Sequence, residues 1–514
     1  MFAGTVKERI MSLQNKSPSQ GKSMSMPALG NIAGGSLREN SFGTISDRRK
    51  TSSAGYAGHN RPEGQERREE DMARYFARED VDPLCHAFDG KIAVHPGAGG
   101  ELFNGERARA ELEKKLDTPR EGKSVAYIHV PFCETHCLYC GFYNKTYRPG
   151  ESAAYADTLD RELTLWADRP AQAQGPVHAV YLGGGTPTAL EADDLRRILR
   201  NVRSRLPLAN DCEITVEGRL TNFDERKMEA CLDGGANRFS LGVQSFNTKI
   251  RQNMGRLCPR EELLKRIEKL RSYDQAVIVV DLIYGFPYQD MTAWLDDIAT
   301  AQSINLDGAD CYQLNTYKGT PLARAIENGA LPAGADVAER ARMFAAAVEA
   351  MQNTFWHRLS ISHWARTTRE RNLYNQYVKG RAHCLAFGPG GGGSLDGLFY
   401  MNQSDIAAWR EAVNAGQKPL AMVMLPEPGW KLYKAVTEGM ERGVLNMAEL
   451  EAESGEALRE ICHPLFSQWE RAGLVSRQDT FLTLTVAGQF WQVNLNQLLI
   501  DYLKHRSGQL CRAC

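Results

Sequence analysis

Long hydrophobic runs are missing from this 514-residue chain. None reaches the ~18–20 residues that a membrane-spanning helix requires. An excess of charge of either sign is missing too. Lys and Arg total 62 against 63 Asp and Glu, a formal net charge of −1, so nothing argues for nucleic acid or a membrane surface as partner. The first ten residues lack the apolar core of a signal peptide. Twelve cysteines in a chain of this length do not make a disulfide scaffold. Apolar residues are scarce from 12 to 70, where Ser, Gly, Asn, Arg and Lys dominate. A segment of that composition cannot bury enough surface to offset its ordering entropy. Residues 1–70 are therefore expected to be disordered, with an overlong gene start as the alternative. The remainder leaves room for two or three domains.

What the chain does have is a concentrated group of thiols. Cys133, Cys137 and Cys140 stand in the run Tyr-Ile-His-Val-Pro-Phe-Cys-Glu-Thr-His-Cys-Leu-Tyr-Cys-Gly-Phe-Tyr. This C-x3-C-x2-C spacing follows a strand-like run over residues 125–130. Three thiolates can hold three irons of a 4Fe–4S cubane, leaving the fourth iron open to a small molecule. Structural zinc sites take four ligands, so the competing reading is a zinc site completed by His129 or His136.

From about residue 123 to 365 the chain alternates between strand-like and helix-like stretches. Apolar β-rich runs fall at 125–130, 177–182, 212–216, 238–243, 277–283 and 311–314, with amphipathic segments at 155–166, 193–206, 226–232 and 260–271. Alternation of this kind implies parallel strands joined by right-handed helical crossovers. The fold expected is α/β, a partial (β/α)6 barrel, with its chemistry at the C-terminal strand ends. Polar residues stand at those ends. The second strand closes on Gly-Gly-Gly-Thr-Pro-Thr (183–188), where glycines admit close backbone approach and offer N–H donors. The third delivers Glu217 and the fourth Gln244. The fifth carries Asp281 inside an apolar run, a placement that is costly unless the carboxylate is paired or used. Singly, each also fits a surface or satisfied-core residue; together, at successive strand ends, they point to a site.

These motifs resemble the oxygen-independent coproporphyrinogen III oxidase-like branch of the radical S-adenosylmethionine (SAM) superfamily, over roughly residues 121–320. The resemblance implies a cluster on Cys133, Cys137 and Cys140 with SAM on its fourth iron. It implies that Tyr127, Gly184, Gly185, Thr186 and Glu217 hold that SAM, and that Gln244, Arg256 and Asp281 hold a second SAM that donates a methyl group. Two flanking segments, 82–100 and 362–394, look most like the haem-utilisation members of the branch, the anaerobilin synthase group. These methylate haem and open it to a linear tetrapyrrole, freeing iron. Haem is then expected across the barrel mouth, between residues 94–100 and 362–394. His363 and next His95 are the candidate iron ligands. Arg366 and Arg369, with Arg371, are candidates for the propionates, Trp364 and Tyr374 offer ring faces, and Gly388–Gly393 is a further substrate-binding loop. Coproporphyrinogen oxidation and non-catalytic haem carriage are the alternatives within the branch. A reductant such as flavodoxin or ferredoxin is implied, and an iron–sulfur site calls for a reducing, cytoplasmic setting.

Segment boundaries are expected at 71–120 (an extension contributing to the substrate site), 121–365 (barrel), 366–426 (glycine-rich connection), 427–505 (winged-helix-like) and 506–514 (tail). The winged segment lacks a basic stripe, so a lid or packing role is expected of it in preference to DNA binding. The terminal Cys511 and Cys514 form a C-x2-C pair that fits either a loose end or a weak metal or redox contact.

Overall fold

In the computed structural model of the chain, residues 72–93 and 99–513 are described, with side chains as far as Arg506. The segment 1–70, His95, Cys514 and the side chain of Cys511 lie outside the described residues. The described part belongs to one compact unit.

Six parallel strands carry the centre of the molecule: β1 (Ser124–Val130), β2 (Val177–Gly184), β3 (Leu208–Gly218), β4 (Arg238–Gln244), β5 (Val277–Tyr284) and β6 (Gly308–Gln313). Helices α1 (Glu151–Thr164), α2 (Ala192–Arg205), α3 (Glu225–Gly234), α4 (Arg260–Ser272) and α5 (Met291–Ser303) lie between them in sequence. Most side chains of β1 and β5 are buried, as expected of parallel strands covered on both faces. The helices begin and end on local signals. Asp224 accepts from the Lys227 N–H to start α3, and Gly235, at φ 102°, closes it in the left-handed region that favours glycine.

The sheet runs further than the six expected strands. On the far edge of β6, β7 (His363–Ala365) adds antiparallel, pairing His363 with Asp310. On the other side β8 (His383–Phe387) joins β1 in parallel. The antiparallel strands β9 (Gly392–Leu395), β10 (Leu398–Asn402) and β11 (Leu420–Pro426) then extend the sheet, ending on the strand Gly100–Phe103. Residues 383–426 therefore build sheet as well as connection. Glu162 of α1 ties them down, accepting from the Gly388 N–H at 2.7 Å, Trp409 Nε1 at 2.8 Å and Lys418 Nζ at 2.8 Å. The C-terminal part has helices Trp430–Arg442, Met447–Ser454 and His463–Arg471, a three-stranded antiparallel ribbon, and a last helix Gln492–Ala513. Among the described residues no helix is long and apolar enough to cross a membrane.

Candidate functional site

The C-terminal ends of β2 to β6 open onto a cavity of about 460 Å³. Cys137, Cys140, Gly184, Gly185, Thr186, Glu217, Gln244, Arg256 and Asp281 line it. The open side is walled by Lys91 and Ala93 of the N-terminal extension, by Lys379 and Glu441, and by Phe490, Gln492 and Val493 of the C-terminal segment. The C-terminal segment therefore forms part of the wall at the cavity's open side.

Cys133 and Cys137 are buried and Cys140 is partly open. Thr186 Oγ1 donates to Cys133 Sγ at 3.4 Å, and the Phe142 N–H reaches Cys140 Sγ at 3.4 Å. Burial raises the Cys133 and Cys140 thiols. It opposes ionisation of Cys137 as well, but the Arg256 and Arg219 guanidinium groups outweigh it and pull that thiol below its ordinary value. Among the described residues, no three His, Cys, Asp or Glu side chains converge closely enough to chelate one ion. The zinc reading loses its fourth ligand too. The His129 Nδ1 is 3.0 Å from Tyr127 Oη, and His136 stacks on Tyr143 at 4.0 Å. Three thiols on one loop, cationic groups against them and a cavity lined by Cys137 and Cys140 fit a polynuclear cluster with an open corner.

The glycine run lines the cavity and also makes close contacts within the protein. The Gly184 N–H donates to Glu217 Oε2 at 3.3 Å and the Gly185 N–H to Val130 O at 2.7 Å, so neither donor is free for a ligand. A Cβ on Gly185 would stand 2.5 Å from Phe132 O, and one on Gly184, at φ 107°, would stand 2.6 Å from the His129 ring. Glycine is required here to let β2 press against the cysteine loop.

Glu217 and Asp281 face the cavity. Burial, and then the charge of Asp281, push Glu217 up to about 8. Burial, and then Asp310, push Asp281 up to about 7, and Ser240 Oγ sits 3.3 Å from its Oδ1. Gln244 sits on a register shift in β4 with φ 73°, and its buried Oε1 has no partner among the described residues. An orphaned acceptor in the wall, beside Arg256 and Asp281, fits a ligand bearing N–H or O–H groups, as the amino and ribose ends of SAM do. Asp297 of α5 holds this corner. It accepts from Ser245 Oγ at 3.1 Å and the Phe246 N–H at 2.6 Å, while Gln289 Nε2 donates to it at 3.2 Å and accepts through Oε1 from the Gly285 and Phe286 N–H groups.

Other expected residues lie elsewhere. Tyr127 is below the rim, stacked on Tyr374 at 6.0 Å and Tyr181 at 6.5 Å. Tyr374, on the helix Leu373–Lys379, is thus stacked on two strand residues. His363 is fully buried. Its Nδ1 is 2.9 Å from Asp310 Oδ2 and its Nε2 is 3.0 Å from Glu370 Oε1, and Glu370 pairs in turn with the buried Arg238 at 2.9 Å. Burial opposes protonation of the ring, but Asp310 and Glu370 outweigh it and raise His363 to about 9. A protonated imidazole with both nitrogens against carboxylates offers no lone pair to haem iron. Arg366 donates to Leu306 O, Arg369 to Asp274 and Arg371 to Asp211; the first two acceptors precede the starts of β6 and β5 and the third is in the first half of β3, which puts the three arginines at the edge opposite the cavity. They do not meet a substrate at the mouth. Trp364 is buried. Gly388 packs on His129 and Gly393 on the Tyr400 ring, so the glycine loop is packed rather than open. Of the segments expected to sandwich haem, Ser362 and Lys379 reach the cavity, while residues 94–98 lie outside the described residues.

Two contributors escaped the sequence reading. Tyr139, between the second and third cysteines, lines the cavity and accepts from Arg256 Nε at 2.9 Å. Arg219, two residues after Glu217, lines it with Nη2 3.9 Å from Cys133 Sγ. Position inside the motif was the available signal for Tyr139. For Arg219 it was adjacency to a strand-end carboxylate.

A model of the radical SAM superfamily matches residues 127–301. Anaerobilin synthase of Escherichia coli O157:H7 is 41% identical over 436 residues, 84% of this chain and 96% of that protein. The haem chaperone HemW of Buchnera aphidicola is 30% identical over 203 residues, 38% of this chain and 52% of the relative. Among solved structures, coproporphyrinogen III oxidase (HemN) of Escherichia coli superimposes with a TM-score of 0.66 at 18% identity, covering 77% of this chain and 93% of that one. That last likeness is one of fold.

Proposed function

The chain belongs to the anaerobilin synthase family of radical SAM proteins, and we propose that it opens the haem macrocycle without oxygen, giving a linear tetrapyrrole and free iron, with C-methylation of the ring as the opening step. The observation that carries this reading is likeness to anaerobilin synthase along 96% of that protein's length. The Buchnera haem chaperone matches 38% of this chain and that of Bacillus subtilis 55%.

A 4Fe–4S cluster with SAM on its open iron supplies, when bound, one-electron cleavage of the SAM C5′–S bond and a primary carbon radical. Cys133, Cys137 and Cys140 are the proposed ligands. Glu217 and Thr186, on the cluster side of the cavity, are suited to that SAM. A carboxyl raised to about 8 donates as well as accepts near neutral pH. Gln244, Arg256 and Asp281 form the second group, proposed for the SAM that provides the methyl. Its support is the unpartnered Gln244 Oε1 and the clamp on this corner by Asp297. Residues of the N-terminal extension and of the C-terminal segment wall the open side of the cavity, where a seated substrate would complete the exclusion of water that radical chemistry requires. Electrons come from a small reductant of the flavodoxin or ferredoxin kind.

SAM with an isotopically labelled methyl group tests the methylation step. Label in the tetrapyrrole product is expected. Ring-opened product without label would overturn that step and leave ring opening to be explained by hydrogen transfer alone.

A further inference from the structure

Arg366 and Arg369 lie at the wrong edge for a substrate in the cavity, yet a cavity that admits haem must meet two propionates. Three other cations stand at one wall of it, Lys91 in the lining and Arg340 and Arg358 behind lining residues. Lys91 Nζ lies 4.1 Å from the Phe490 ring centre and donates to Phe490 O. The Arg358 guanidinium lies 5.5 Å from the centre of the Phe344 ring, which packs on Phe490 at 5.8 Å, and it donates to Gln489. Arg340 donates to the carbonyl of Leu314, a lining residue, at 3.0 Å. None of the three has a carboxylate within ion-pair distance among the described residues, whereas the buried Arg238 has Glu370 at 2.9 Å. Three of their N–H groups, Arg340 Nε and Arg358 Nε and Nη2, are buried without any partner among the described residues.

Such an arrangement is unfavourable as it stands. Buried charge without a counter-charge carries a desolvation cost that nothing in the protein repays. The effect shows in the groups themselves: burial, and then Arg340, depress Lys91 to about 7, and burial depresses Arg358 to about 10. An anion arriving at the wall would satisfy the orphaned N–H groups and restore all three charges. Guanidinium groups take carboxylates in paired hydrogen bonds, and the flat Phe344–Phe490 surface beside them suits the edge of a macrocycle.

We propose that Lys91, Arg340 and Arg358 form a receptor for the carboxylates of the substrate, the propionates of a tetrapyrrole, on the wall shared by the N-terminal extension, the barrel and the C-terminal segment. This rests on the haem reading above. The same chemistry would accept the methionine carboxylate of a SAM molecule, and the test separates the two.

The test compares binding of ferric haem and of its dimethyl ester to the full chain, by Soret shift, in the parent, Lys91→Met, Arg358→Gln and Arg358→Lys. Calorimetric SAM binding is measured alongside. The parent is expected to prefer haem over the ester by about tenfold or more. Lys91→Met and Arg358→Gln should shrink that preference with ester affinity and SAM affinity unchanged, and Arg358→Lys should keep part of it. An equal affinity of the parent for acid and ester overturns the receptor whatever the variants do. A preference that survives both charge-removing variants also overturns it. Lost SAM affinity with the haem preference intact assigns the wall to the methionine carboxylate. A parent that binds neither porphyrin overturns the haem reading itself. Circular dichroism identifies a variant that fails to fold, and the parent's acid-to-ester ratio then decides.

Discussion

At the scale of single residues, the most instructive is His363. A histidine in Ser-His-Trp-Ala-Arg-Thr-Thr-Arg-Glu-Arg reads as a metal ligand amid anion-binding arginines. Antiparallel pairing of His363 with Asp310 turns it inward, where it bridges Asp310 and Glu370. Its partners are 53 and seven residues away, and no local pattern announces the first of them. The account predicts that His363→Ala unfolds more easily by about 3–5 kcal/mol, since Glu370 and Asp310 lose a buried counter-charge. Chemical denaturation measures this. Haem affinity of the folded variant should stay at the parental value, and a folded variant that lost haem binding would return His363 to the substrate site. Cys133, Cys137, Cys140, Glu217 and Asp281 were readable because their meaning is local. Each stands in a short motif at a strand end, and the parallel fold brings strand ends together.

Among the elements, β1 to β6 were legible as apolar, β-branched runs separated by helical stretches. The seventh parallel strand, β8, was not. It follows β1 by some 250 residues of chain, and its pairing with β1 depends on no feature of its own sequence beyond five residues, His-Cys-Leu-Ala-Phe. Its glycine-rich sequel read as a binding loop because glycine marks close approach to a ligand and close approach to backbone alike, and here the backbone is that of His129. The corner between β4, β5 and α5 joins fold to function. Asp297 satisfies the loop that follows Gln244, and removing its carboxylate leaves the Phe246 N–H and Ser245 hydroxyl unmatched. Asp297→Ala should weaken SAM binding at the Gln244–Asp281 group and lower stability by about 1–3 kcal/mol, with cluster absorbance retained. Calorimetric titration with SAM would show one site weakened; unchanged affinity at every site would contradict the role given to this corner.

Over the whole molecule, the carboxyls at the mouth leave a signature in pH. Glu217 and Asp281 are raised from 4.5 and 3.8 to about 8 and about 7. Between the ordinary carboxyl range and those values the folded chain keeps protons that the unfolded chain has released. These two carboxyls therefore contribute stability to the SAM-free protein that is lost as pH rises from about 4 to about 8. Glu217→Gln removes one of the two titrating groups, so the slope over that window should become shallower. A slope unchanged by Glu217→Gln would place this carboxyl in contact with solvent, and a slope rising with pH in the parent and not in the variant would make it a paired carboxylate. The measurement closest to the central claim uses the intact chain, reconstituted with iron and sulfide without oxygen and given SAM, a one-electron reductant and haem. The account predicts loss of the haem Soret band, release of iron, a linear tetrapyrrole and 5′-deoxyadenosine, all abolished by Cys137→Ala. Haem recovered intact in stoichiometric complex with the parent protein, under conditions where SAM is cleaved, would contradict it.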